Sequence, residues 1–329
     1  MLELQSLIAA FSTKRILVIG DVMLDTYIWG NVERVSPESP VPVVDVKMKE
    51  HRLGGAANVA LNVKELGAVP ILISVCGDDD AGLQLRHLLS SRGISGAGLI
   101  ESSGKVTTEK TRVLSRNQQM LRFDTEDPTD LSEDEEARLI DNIHRTLHEQ
   151  ADAVILQDYN KGALTPRVIE NVMKLCADHH VPTAVDPKRW NFFAYKGATI
   201  FKPNLRELRE NMPDDGIGGI DQHQLLSKSN ELKQRIGNAI TLITLSERGI
   251  FYHDDNEHFI EPAHKVRQVA DVSGAGDTVI ALAALCHVCG VDARTMCRLA
   301  NVAAGLVCEK VGVVPITTEA LVNEVALSG

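Results

Sequence analysis

The sequence has no dense run of lysine or arginine: 34 basic residues face 45 acidic ones, for a net charge of −11. That balance argues against nucleic acid or an anionic membrane as partner, because both require clustered positive charge. Long apolar runs are also missing. The longest, about 278–291, falls short of the roughly 20 residues that span a bilayer. MLELQSLIAAFSTKR carries Glu3 and no basic stretch ahead of its apolar part, so it is expected to be a short amphipathic helix rather than a secretory signal. Cysteine is sparse, six in 329 residues, which suits reduced thiols and a cytoplasmic setting better than a disulfide scaffold.

Familiar motifs are absent as well. Cys286 and Cys289 have CxxC spacing, but no second CxxC exists and the pair lies in an apolar helical run, where cysteine behaves as a small hydrophobe. His144 and His148 lack the glutamate of an HExxH zinc helix, and an exposed charged face accounts for them. There is no G-x-x-x-x-G-K-[ST] loop, no H-R-D set, no internal repeat and no low-complexity tract. The glycine-rich PDDGIGGID, around Ile217–Ile220, lies between helical segments rather than after a strand, and is expected to be a surface loop.

What is present is alternation of strand and helix. Arg15–Gly20 (RILVIG) is a short β-branched run ending in glycine, the pattern of a buried parallel strand. Strands are expected again at 71–76, 153–157, 183–186, 199–202 and 240–245, with a hairpin over 249–260. Helices are expected at 56–66, 82–92, 132–149, 165–180, from Asn204, and near 275–289, 293–310 and 318–327. The helix at 132 opens with a capping box, Ser132 to Glu135. This order predicts one α/β domain over 1–329, with a doubly wound, mostly parallel sheet flanked by helices and ligands at the strands' carboxyl ends. Two alternating segments, about 25–50 and 105–124, do not fit that sheet and are expected to pair with each other as a small β lid.

The most informative segment is DVSGAGDT, residues 271–278. Gly274, Ala275 and Gly276 allow a turn whose backbone N–H groups converge at a helix N-terminus, an anion site by dipole and by unsatisfied amides. A carboxylate there, Asp277, is electrostatically awkward unless it has chemical work. Phosphoryl transfer needs this pair: amides for the transferred group and a base for the attacking hydroxyl. An ordinary glycine-rich helix start with an acidic first turn would use the same residues.

DVSGAGDT resembles the C-terminal signature of the ribokinase-like PfkB carbohydrate kinases, D-[TV]-x-G-A-G-D, with Ser273 where threonine is commoner. LGGAANVALNVKELG, residues 53–67, resembles their N-terminal signature. The resemblance covers essentially the whole chain and implies an ATP- and Mg²⁺-dependent sugar kinase of ribokinase-like fold. Asp277 would be the base, over the amides of Gly274, Ala275 and Gly276. Asn204-Leu205-Arg206-Glu207 resembles the N-x-x-E motif, in which the acid orients Mg²⁺ largely through water and the asparagine faces the nucleotide phosphates. Mg²⁺ keeps several waters, so one outer carboxylate is chemically sensible; the same four residues also make a plain helix cap. Thr244, Ser246 and Gly249 resemble the nucleotide-side loop, and Asn301 would face adenine.

On the sugar side the resemblance implies that Asp25 accepts sugar hydroxyls, with Asp21 in the same loop. Gly54 and Gly55 permit close approach to a ligand, and Asn58 offers donor and acceptor. Asp158 and Lys161 follow another strand, and Lys188 is a plausible phosphate contact. Arg112, Arg116, Asn117, Gln118 and Arg122 crowd the second lid segment, a donor set suited to a phosphorylated sugar, although solvated lid charge would look the same. Three further segments, GDVMLDTYIWGNVERVSPESPVPVV (20–44), KTRVLSRNQQMLRFD (110–124) and QDYNKGAL (157–164), resemble the branch of the family that phosphorylates O1 of D-glycero-β-D-manno-heptose 7-phosphate for ADP-heptose and lipopolysaccharide. A kinase for another sugar, or a non-catalytic sugar-binding protein, are the alternatives. No HxGH nucleotide motif is present, so adenylylation is expected to come from outside this sequence. Pairing of lids in a homodimer is expected to cover strand edges and apolar residues such as Ile28, Trp29 and Val43.

Overall fold

The structure, a computed structural model, describes residues 2–116, 118–148, 151–213 and 221–328. Asn117 and Ile217–Ile220 therefore lie outside the described residues. The first helix, α1 (Leu2–Phe11), leads into β1 (Arg15–Gly20), and the chain then runs out into two long strands, β2 (Val22–Val35) and β3 (Pro42–Gly55). It returns through α2 (Ala56–Glu65), β4 (Val69–Gly77), α3 (Asp80–Ser91) and β5 (Leu99–Ser102). A second excursion makes β6 (Glu109–Ser115) and β7 (Gln118–Thr125). Regular alternation follows: α4 (Glu133–His148), β8 (Ala153–Gln157), α5 (Pro166–Asp178), β9 (Thr183–Asp186), β10 (Ile200–Phe201), α6 (Leu205–Asn211), α7 (Gln222–Ile236) and β11 (Ile240–Thr244). The hairpin β12 (Ile250–His253) and β13 (His258–Glu261) precedes α8 (Ala275–Val288), α9 (Ala293–Cys308) and α10 (Thr318–Ser328).

The main sheet has the order β13-β12-β11-β10-β9-β8-β1-β4-β5, and only the β11–β12–β13 pairings are antiparallel. Strand β1 shows why it is buried on both faces. Its side chains alternate, so Ile16 and Val18 join the core under α2, α8 and α9, while Leu17 and Ile19 join the core under α4, α5 and α7. Burying each such side chain is worth about 1.5–3 kcal/mol. No helix among the described residues is long and apolar enough to cross a membrane. Cys286 is buried in the first core, as its apolar context implied.

The two segments expected to form a lid pair as a separate four-stranded sheet, β3-β2-β6-β7, in which β2 pairs with β6 in parallel and joins the two excursions. Two elements were not expected with bounds. Strand β5 is four residues long and too short to show a period, and α7 follows a segment whose glycines drew attention away from it.

From β1 the chain moves to β4 and β5 on one side, and later from β8 to β11 on the other. The order therefore reverses between β1 and β8, where the connecting loops diverge and leave a crevice at the strand ends, the usual ligand position in such sheets.

Candidate active site

Parallel strands place their carboxyl ends at one edge, and that edge collects the chemistry. Strand β1 delivers Asp21, β8 delivers Gln157, Asp158 and Tyr159, β9 delivers Asp186, and the residue after β10 is Lys202. Helix α8 points its N-terminus at this edge. Gly274 is its cap residue at φ 83°, without a side-chain acceptor for the first-turn amides. A β-carbon on Gly274 would stand 3.0 Å from Asn58 Nδ2 and 3.2 Å from Val313 Cγ1, a tight fit at a position whose positive φ already favours glycine.

Asp277 lies in the first turn of α8, buried, among three donors. Asn58 Nδ2 donates to Oδ2 at 2.7 Å, while Gln157 Nε2 (3.1 Å) and the Tyr159 hydroxyl (2.9 Å) donate to Oδ1. Burial pushes its carboxyl up to about 7, the Asn58 hydrogen bond opposing and Asp186 adding to the rise. A carboxylate poised there can take a proton near neutral pH. Asn58 comes from α2, 219 residues away in sequence, so the two glycine-containing signatures meet at this bond.

Next to the turn, Lys202 Nζ is 3.0 Å from Asp186 Oδ2, both buried. Burial alone would raise Asp186, but Lys202 and Lys188 hold it below the usual carboxylate range. Asp186 Oδ1 and Gln157 Oε1 are buried oxygens without a hydrogen-bond partner, acceptors that a water-bound cation or ligand donor would fill. Asn204 and Glu207 make a complete capping box on α6: Glu207 N donates to Asn204 Oδ1 and Asn204 N to Glu207 Oε2, both at 2.8 Å. The other Glu207 oxygen takes Lys188. Burial, then repulsion from Asp186, raises Glu207, while the two acids keep Lys188 charged against its burial. Lys188 therefore stands beside the nucleotide-side acid, with its Nζ also 5.1 Å from the centroid of the Tyr159 ring.

The nucleotide-side loops also converge. Asn204 bridges to Thr244, and Ser246 turns with φ 56° into Gly249 at φ 93°. Gly249 packs against the backbone of 261–263, and Asn301 Nδ2 donates to the carbonyls of Glu261 (3.0 Å) and Pro262 (2.9 Å). Leu205 packs on the second core, and Arg206 is exposed and paired with Glu210.

On the sugar side several acids are already engaged. Asp21 accepts from the backbone N–H groups of Tyr159 (2.7 Å), Lys161 (3.1 Å) and Ala163 (3.0 Å), so it holds the loop after β8 instead of presenting free oxygens to a ligand. Asp158 accepts from the Tyr195 hydroxyl at 2.7 Å and from Asn160 N at 2.7 Å; burial, then Asp21, pushes it up to about 6. Lys161 pairs with Glu126 at 2.8 Å. Asp25 and Arg112 form a buried ion pair, and Arg112 stacks 5.3 Å from the Tyr27 ring centroid. Gly54 lies against that acid: a β-carbon there would be 2.1 Å from Asp25 Oδ2. Gly55 leads into α2 and Asn58.

The donors of the second lid segment differ in their surroundings. Arg112 is turned inward, and Arg122 pairs with Asp124 at 3.1 Å. Arg116 and Gln118 are exposed at the lid tip. Ile28, Trp29 and Val43 are half-buried within the lid; the exposed apolar residues are others, Val46, Met48, Met120, Leu121 and Phe123. Residues missed by sequence reasoning are Gln157, Tyr159, Asp186 and Lys202. Their one available signal was position, each at or just past the end of a buried strand.

Comparison with known proteins first fixes the fold. The chain superposes on phosphofructokinase-2 from Escherichia coli with a TM-score of 0.80 at 17% identity, covering 96% of this chain and 99% of that one. It superposes on Arabidopsis thaliana ribokinase complexed with ribose and ATP with a TM-score of 0.72 at 18% identity, covering 94% and 97%. The fold is ribokinase-like. Residues 13–320 match the pfkB family carbohydrate kinases, and the chain belongs to that family. It is 41% identical over 305 residues to the "Bifunctional protein HldE" of Desulfatibacillum aliphaticivorans, covering 93% of this chain and 62% of the relative. With the HldE of Geobacter sulfurreducens it shares 38% identity over 323 residues, covering 98% and 65%. The chain thus spans less than two thirds of the length of these relatives.

Proposed function

We propose that the chain transfers the γ-phosphoryl group of ATP to O1 of D-glycero-β-D-manno-heptose 7-phosphate, giving the 1,7-bisphosphate used for ADP-heptose and the lipopolysaccharide inner core, in a cytoplasmic setting. The observation that carries kinase chemistry is the 2.7 Å bond between Asn58 and Asp277, which seats a buried base at an uncapped helix N-terminus. The base takes the acceptor hydroxyl's proton, and the amides of 274–276 with Lys202 stabilise charge on the transferred group. Mg²⁺, which supplies charge neutralisation on the phosphates, would be faced through water by Asp186, with its unpartnered oxygen, and by Glu207. Glu207 is engaged by Lys188 and would have to share that contact.

The heptose assignment is supported by where its three segments sit. Residues 20–44, 110–124 and 157–164 form β2 and part of β3, most of β6 and β7, and the loop carrying Tyr159, which is the sugar side and lid rather than the nucleotide side. Arg116, exposed at the lid tip, is the arginine of the second lid segment best placed to read the sugar's phosphate. A second copy of the chain is the proposed occupant of the lid's outer face, where β7 is exposed along its whole length. Turnover of ATP against a panel of sugars and sugar phosphates tests the reading. Heptose 7-phosphate should be the preferred acceptor by kcat/KM; preference for an unphosphorylated sugar overturns the substrate, and absence of turnover with every acceptor overturns the kinase.

A further inference from the structure

The loop after β8 carries a tyrosine that the expected roles leave unused. Tyr159 places its hydroxyl 2.9 Å from Asp277 Oδ1, on the same oxygen as Gln157, so that oxygen's two acceptor positions are filled. Among the described residues, Oδ2 receives only Asn58. The tyrosine is held from behind. Asp21, across the point where the sheet order reverses, accepts the amides of Tyr159, Lys161 and Ala163. Asn160 adopts φ 53°, and its N–H returns to Asp158 at 2.7 Å. The Tyr159 ring also lies 5.1 Å from Lys188 Nζ. Burial first, and then Asp277 and Asp186, keep the phenol protonated and therefore a donor.

We propose that Tyr159 is the positioning residue of the Asp277 base: it holds Oδ1, leaves Oδ2 as the oxygen that takes the acceptor's proton, and is itself set by Asp21 through the backbone. In the step, the acceptor O–H proton passes to Oδ2 and the acceptor oxygen's electron pair forms the bond to phosphorus. The bond from that phosphorus to the bridging oxygen breaks, leaving its pair on the nucleoside diphosphate. Asp21 then serves the base, not the sugar, and its carboxylate acts at a distance through a loop of fixed shape. The inference rests on the reading of Asp277 as base.

Among the described residues, the charged groups facing Asp277 are Asp186 from β9, Lys188 just after β9 and Lys202 after β10; Asp25 faces the Tyr159 hydroxyl, and α2 contributes the neutral Asn58. Tyr159→Phe removes one donor and none of these charges. A donor to a carboxylate favours its ionised form, so removing it raises the pH at which the base ionises, and the acid limb of kcat moves upward.

The experiment measures kcat and KM between about pH 5.5 and 9.5 for wild type, Tyr159→Phe, Asp21→Asn, the double variant and Asp277→Asn. Tyr159→Phe should shift the acid limb up by roughly one unit, giving about a tenfold loss below the limb that shrinks at high pH, with KM for ATP unchanged. Asp21→Asn should shift the limb the same way and add nothing in the Tyr159→Phe background. A pH-independent loss in Tyr159→Phe, or an unmoved limb, overturns the positioning role. Additive shifts overturn the link from Asp21. If Asp21→Asn does not fold, Tyr159→Phe alone decides the positioning of the base. Wild-type turnover in Asp277→Asn would instead overturn the base, and the positioning role with it.

Discussion

Two polar regions face each other across the crevice, and they treat charge differently. In the lid, cations have anions: Arg112 with Asp25, Lys110 with Asp124 and Glu126, Arg122 with Asp124, Arg52 with Glu50. At the strand ends Lys202 and Lys188 are paired with Asp186 and Glu207, yet among the described residues the buried Asp186 Oδ1 and Gln157 Oε1 accept no hydrogen bond, and α8 begins without a side-chain cap. In the lid the buried side-chain atom left without a hydrogen bond is a donor, Trp29 Nε1, whereas at the strand ends the two such atoms are acceptors. The same contrast holds for backbone elements. β1 is buried through five of its six residues, while β7 is exposed through all eight. The composition follows the covering: β1 (RILVIG) is apolar after its first residue, whereas five of the eight residues of β7 (QQMLRFDT) are polar or charged.

The largest expected effect belongs to the strand-end region. Asp277→Asn should lower kcat by at least ~10²-fold, the scale of a general base, with KM for ATP preserved. Near-wild-type turnover would mean that the uncapped turn does not need its carboxylate. The pH profile sharpens the point. Because burial raises Asp277 to about 7, wild-type kcat should rise with pH through the neutral range as the base ionises.

Next in size is the lid's buried pair. Arg112→Ala leaves Asp25 buried and unpaired, which should cost about 3–5 kcal/mol in denaturant unfolding. A changed KM for the sugar phosphate with undiminished stability would break the comparison, since Arg112 would then be a ligand contact and not part of a completed lid. The outer face should respond less. Phe123→Asp on the exposed β7 should weaken self-association by roughly thirtyfold, a hot-spot effect, as read by light scattering over a dilution series. A wild-type chain that is monomeric at micromolar concentration would remove the proposed lid partner. The smallest effect is Arg116→Ala, a rise of about tenfold in KM for heptose 7-phosphate with KM for ATP constant, the scale of one hydrogen bond to a charged group.

Much of this was legible in the sequence where the pattern was local. RILVIG, TAVD and the capping residues Thr165 and Asn204 define their elements by short-range rules of period and capping, and the structure keeps them. The lid was legible as an exclusion, two alternating segments that fit no parallel sheet. The face Arg112 takes was not legible, because an arginine on an alternating strand has two faces available; the pairing of Tyr27 with Arg112 puts it on the inner face, where it meets Asp25. The three amides that Asp21 accepts were not legible, because backbone amides, unlike side chains, leave no mark in a sequence.

By itself the sequence determined the alternation of strands and helices, the glycine turn before α8 and the presence of an acid on it. These depend on neighbours within one turn or one strand, and local sterics and dipoles act at that range. Only the tertiary structure decided that Asn58, Gln157 and Tyr159 surround Asp277, that Lys202 sits beside Asp186, and that Asp21 serves a loop. Those choices follow from the order of strands in the sheet. Reversal between β1 and β8 brings residues more than a hundred positions apart to one edge, and the burial of that edge, together with the charges it gathers there, gives the carboxylates their altered affinity for protons.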